Sequence, residues 1–169
     1  MKTWLKRIAL LILAVFVGAQ FVRPERSNPP TDESRTIFAR VQVSPEAERI
    51  LKRACRDCHS HETVWPWYTN VSPVSWWIVD HVQHGRSHLN FSDWAKLDAK
   101  QAAITLKEMC GEVEQKAMPL PVYLPLHSHA RLSEEDIKNF CAWTNDESAR
   151  LTAAPAAVPA TAPPPEKKK

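Results

Sequence analysis

Pro45-Glu46-Ala47-Glu48-Arg49-Ile50-Leu51-Lys52-Arg53-Ala54-Cys55-Arg56-Asp57-Cys58-His59 reads as one helical run that ends in a C-x-x-C-H motif. Two thiols three positions apart suit the two vinyl groups on one edge of a porphyrin. The adjacent imidazole then falls beneath the iron. A bare C-x-x-C is shared by redox thiols and half-zinc sites. His59 narrows that reading, and the sequence has no second C-x-x-C or Cys/His tetrad to complete a zinc site. The expected cofactor is one haem c, bound through Cys55 and Cys58 with His59 as its proximal ligand. Fortuitous or metal-binding spacing is the alternative.

The first residues point to export. Lys2, Lys6 and Arg7 precede the apolar run Ile8 to Val22, and Arg23-Pro24-Glu25-Arg26 closes it. Val17-Gly18-Ala19 is a tolerable small-residue cleavage site. Phe21 and Val22 continue the apolar run beyond it, which favours an uncleaved anchor over a cleaved signal. The run itself falls short of the roughly 18 residues that make a spanning helix secure. Residues 1–22 are therefore the signal or anchor segment, with the remainder on the periplasmic side by the positive-inside rule.

Composition leaves room for one core. A chain of 169 residues with 44% hydrophobic content supplies a single small domain. Its net charge of +3, interspersed rather than striped, argues against a nucleic-acid partner. Residues 23–36 read as a polar tether, and 151–169 as a disordered Ala/Pro-rich basic tail. The haem-binding domain is expected over 37–150, and its punctuation is helical. Ser44-Pro45 and Ser72-Pro73 each read as an N-cap with proline at the first helical position. The second helix is expected to stop near Gly85. Ser92 opens a short turn, and Asp98 a longer helix with Ala102, Ile104, Leu106 and Met109 as apolar positions. Ser133-Glu134-Glu135-Asp136 resembles a capping box ahead of Ile137, Phe140, Cys141 and Trp143. No stretch alternates with period two between hairpin turns. The fold is expected to be all-α, cytochrome c-like, around one covalent haem.

Other residues bear on the site. Trp65, Trp67, Trp76 and Trp77 offer apolar area against a flat macrocycle, or fill a small core, or both. Met118, in the loop Ala117-Met118-Pro119-Leu120-Pro121, is the candidate distal ligand, because a thioether is soft enough for iron and the prolines stiffen its loop. A distal histidine is the rival. His81, His84 and His88 share one helix face if the helix survives Gly85, a spacing open to zinc or copper but commoner on a polar surface. His127 and His129 read as surface residues. Cys110 and Cys141 either form a disulfide, worth ~3–4 kcal/mol on the chain-entropy model, or remain two buried thiols.

Three stretches carry a family resemblance: QFVRPERSNPP from Gln20, CRDCHSHETVWPWYTNVSPVSWWIVDHVQHGRSHLNFSDW from Cys55, and MPLPVYLPLHSHARLSEEDIKNFCAWT from Met118. Together they resemble the bacterial haem-binding-domain family of cytochrome c-like proteins. The block from Trp65 to Trp94 is the most specific, since ordinary class I cytochromes lack it. The resemblance implies a membrane-associated, periplasm-facing monohaem protein with thioether links at Cys55 and Cys58. It also implies His59 and Met118 as axial ligands. Cys110 and Cys141 lie outside the family pattern.

Two functions of different class follow. The first is a one-electron carrier with both axial positions filled, serving redox partner proteins. The second is a peroxidase-like enzyme or ligand sensor with a labile sixth position, which needs a distal acid/base group near accessible iron. Only one C-x-x-C-H is present, and no distal Arg/His pair stands out. The carrier is the preferred reading.

Overall fold

Helix starts in this chain are written by short polar caps, and the computed structural model, which describes residues 2–153, bears out most of them. Its α-helices are α1 (Lys2–Ala19), α2 (Ile37–Arg40), α3 (Pro45–Ile50), α4 (Arg56–His59), α5 (Val74–His88), α6 (Ala99–Glu114) and α7 (Glu134–Ala153). No strand occurs among the described residues, so the domain is all-α as expected. The Ser44 hydroxyl accepts from the Ala47 N–H at 3.2 Å, and Pro45 takes the first helical position, where no N–H is required. Asp98 and Gln101 form a reciprocal capping box on α6. Ser133 and Asp136 do the same on α7, with bonds of 2.9 Å and 3.0 Å.

Ser72 departs from its expected role. Helix α5 begins at Val74 behind Pro73, and the Ser72 hydroxyl bonds the Val22 carbonyl and the Ser75 hydroxyl instead of capping. Nor does α5 stop at Gly85; it runs on to His88. A glycine ends a helix only where the backbone turns left-handed, and no glycine here has a positive φ.

The core lies between α6 and α7, which pack along their length. Leu106, Met109 and Val113 meet Phe140 and Trp143, and Ile50, Leu51, Phe91 and Trp94 close the same cluster. Ile104, expected to be inward, is 48% exposed because it falls off that face. A Cys110–Cys141 disulfide joins the two helices with a Cα–Cα distance of 4.9 Å. Arg53, on the turn before the motif, ties that turn to the start of α7. It donates to the His129 and Arg131 carbonyls at 2.7 and 2.9 Å and pairs with Asp136 at 2.8 Å.

The end of the segment read as a signal or anchor, and the segment 23–36 read as a tether, are bonded to the domain. Gln20 exchanges two 3.0 Å bonds with the backbone of Ser72, and the Trp76 indole donates to the Val22 carbonyl at 2.6 Å. Arg26 donates to Thr69, Arg86 holds Ser27 and Asn28, and Arg35 pairs with Asp93. Helix α1 itself has no buried residue. Among the described residues no helix is long and apolar enough to cross a membrane, since the 18 residues of α1 include Lys2, Lys6 and Arg7. The structure thus gives a helix over most of 1–22 but no support for a spanning anchor. At the other end α7 continues to Ala153, and the rest of the expected tail lies outside the described residues.

Replacing Cys110 and Cys141 together by alanine is expected to lower the unfolding free energy by about 3–4 kcal/mol. Denaturant titration measures it, and the cofactor content of the folded protein should not change.

Candidate functional site

A π-helical turn, Leu51–Cys55, separates α3 from α4 and changes the direction of the chain at the motif. Cys55 sits at the junction with φ −121° and ψ −35°, and Cys58 and His59 follow within α4. Both thiols are partly buried and unpaired, in contrast to the bonded Cys110 and Cys141. Burial pushes the Cys55 thiol up to about 12 and the Cys58 thiol up to about 11. Redox-active C-x-x-C pairs have depressed values, so these thiols suit neither disulfide exchange nor ready thiolate formation.

His59 is held from behind. Its Nδ1 lies 3.1 Å from both the Gly85 and the Leu89 carbonyl oxygens. Carbonyls only accept, so Nδ1 carries the proton and donates. Burial holds the imidazole below its usual pKa and hence neutral. The lone pair is therefore on Nε2, the arrangement a metal-bound histidine requires. The ring packs against the buried Phe91 at 6.0 Å between centroids.

Gly85 makes this possible. A Cβ built on it would stand 2.5 Å from the Cys58 carbonyl oxygen and 3.3 Å from the Cys58 Cβ. Only a glycine lets α5 come close enough for its own carbonyl to reach His59. Arg86 reinforces the same seam, donating to the Ser60 carbonyl at 2.7 Å and the Thr63 hydroxyl at 2.9 Å. In the sequence Gly85 reads only as a helix stop and Arg86 does not stand out, because each acts across two helices.

Met118 lies just past the end of α6. Helix α6 closes with Lys116 left-handed (φ 57°), and Ala117 N–H bonds the Glu112 carbonyl while Lys116 N–H bonds that of Val113. This is the Schellman pattern, with lysine at the usual glycine position. The Met118 N–H shares the Glu112 carbonyl at 3.1 Å, and its side chain packs, partly buried, on the cluster that Cys55 also touches.

The four tryptophans divide. Trp65 is partly buried, and its indole nitrogen is a buried donor without a protein partner. Trp67, Trp76 and Trp77 are 77%, 40% and 46% exposed, so they do not fill the protein core. Two of the three α5 histidines, His81 and His84, are engaged on their own helix. His81 and His84 bond backbone carbonyls one turn back on their own helix, and no metal-ligand group among the described residues includes them. His127, expected on the surface, is instead partly buried, with its ring stacked on Tyr123 at 3.7 Å and 5°.

A free imidazole nitrogen fixed from behind, two unpaired thiols beside it, a thioether on the shared core and an orphan indole donor together fit a haem. On its site, then, this is a haem protein. The family model of the haem-binding domain matches residues 14–146, and the chain belongs to that family. No curated protein and no solved structure matches it.

Gly85→Ala is expected to destabilise the fold by about 1–3 kcal/mol through overpacking. It should also lower haem occupancy, as it drives α5 from His59. Chemical denaturation and the haem-to-protein ratio read the two effects, with the exposed Ser87→Ala as control.

Proposed function

We propose that the protein is a monohaem c-type cytochrome that carries single electrons, with Cys55 and Cys58 as its thioether residues and His59 and Met118 as its axial ligands. The observation that carries this reading is the double carbonyl clamp on His59 Nδ1, which leaves Nε2 as a fixed, neutral donor. A metal-ligating histidine donates its other ring N–H to a carbonyl or carboxylate in this way. Family membership supports the haem, and the C-x-x-C-H spacing supports its covalent attachment.

Bound haem supplies a one-electron ferric/ferrous couple, and His/Met ligation raises its potential relative to His/His. The chain's own groups do the rest. The clamp fixes the ring orientation of His59, and Phe91 restricts its tilt. The thioether of Met118, on a loop anchored at α6, would hold the iron from the side opposite His59 and deny it to substrates. Trp65, whose buried indole N–H has no protein partner, would be free to donate to a haem propionate. A redox protein is the partner this chemistry calls for.

The place of action is the periplasmic side of the bacterial inner membrane, or the periplasm if the leader is removed. Cationic side chains ahead of the apolar stretch of α1 support export, as does the Cys110–Cys141 disulfide, since such bonds persist in oxidising compartments.

Purified exported protein is expected to give a low-spin spectrum with the methionine–iron charge-transfer band and no response to carbon monoxide. Met118→Ala should keep the haem covalently attached, abolish the band and admit carbon monoxide. Cys58→Ala should leave a single thioether link, seen in the alkaline pyridine spectrum. A high-spin wild-type spectrum with rapid carbon monoxide binding would point to the peroxidase-like or sensing alternative.

A further inference from the structure

The loop that follows Met118 is fastened to the cysteine motif by one side chain. Tyr123 donates its phenol proton to Asp57 Oδ2 at 2.9 Å, across 66 positions of sequence. Asp57 is a variable position of C-x-x-C-H, between the two thiols, and its other oxygen accepts from the Val64 N–H at 3.2 Å. The loop's ends are fixed elsewhere, at the Glu112 carbonyl before Met118 and at Arg53 after His129. Between them the Tyr123 hydroxyl is a direct bond from the loop to the motif.

A second contact supports Tyr123. Its ring is covered by His127, whose Nδ1 bonds the Tyr123 carbonyl at 3.0 Å and whose Nε2 meets the Tyr68 hydroxyl at 3.0 Å. Tyr68 belongs to the turn that follows the motif, so the loop is gripped from two places on the same side. Burial and the nearby Asp57 carboxylate keep the Tyr123 phenol protonated, so it stays a donor. A neutral donor on a carboxylate is stronger than an ordinary hydrogen bond between neutral groups.

We propose that Tyr123 is a positioning residue for the distal ligand: by donating to Asp57 it latches the Met118 loop to the cysteine turn and holds the thioether in place. The inference rests on Met118 being the sixth ligand. It gives Asp57 a role that the haem-attachment motif leaves unassigned. Loss of the latch frees the middle of the loop without touching the thiols or His59.

The test uses haem-loaded wild type, Tyr123→Phe, Asp57→Ala and the double variant. Phenylalanine keeps the stack on His127 and removes only the hydroxyl. Ferrous carbon monoxide binding reads how often the sixth position opens, and the methionine charge-transfer band reads ligation at rest. Tyr123→Phe is expected to speed carbon monoxide binding by about tenfold or more, the scale of one lost charge-assisted bond. Asp57→Ala should do the same, and the double variant should exceed neither single one greatly. Should Tyr123→Phe merely lower the melting temperature, with band and binding rate unchanged, the residue is structural and the latch is refuted. Multiplying effects in the double variant would also refute it, because the two residues would then act separately. Absence of the band from wild type would overturn His/Met ligation and the latch together, which separates that failure from the failure of the latch alone.

Discussion

The approach of α5 to the Cys58 carbonyl governs the whole site. It sets the distance at which two backbone carbonyls of one helix reach an imidazole on another, and so decides which nitrogen of His59 holds the proton. Packing, hydrogen bonding and metal affinity thus meet in a gap that no side chain could occupy. Arg86, bonded to Ser60, Thr63, Ser27 and Asn28, keeps that gap from widening. A loss of one arm leaves the others, whereas a methyl group on Gly85 acts on the gap itself.

The methionine side is built on a different plan. There the rigid members are α6 and α7, joined by apolar packing and a disulfide, and the loop between them is held at both ends by backbone carbonyls. Histidine and methionine therefore come from two separately braced halves of one domain. Arg53 bridges them, lying on the motif turn while bonding the loop exit and Asp136 of α7. The half that carries His59 depends on close backbone contact, the half that carries Met118 on side chains that reach across.

What the sequence revealed depended on range. The caps at Ser44, Asp98 and Ser133 act within three residues and so were legible, and Cys55, Cys58 and His59 lie within one five-residue motif. Gly85 was misread as a helix stop, since a glycine needed for close approach looks the same in sequence as one needed for a turn. Tyr123 and His127 lay in a Pro-rich stretch whose partners are dozens of positions away. Polar residues 23–36 resembled a linker because the groups that bond a folded surface are those that also solvate a free chain. Trp76 and Trp77 suggested a core by type, yet their places on α5 leave them largely outside it.

The grip on Gln20 also shields the backbone beside it. The bond after Ala19, where a small-residue cleavage site falls, is wound into helical turns, with Gln20, Phe21 and Val22 N–H groups bonded three residues back. The next side chain is already locked to Ser72. Proteases act on chain that can open locally. A cut after Ala19 would therefore require these turns to unwind and Gln20 to release Ser72.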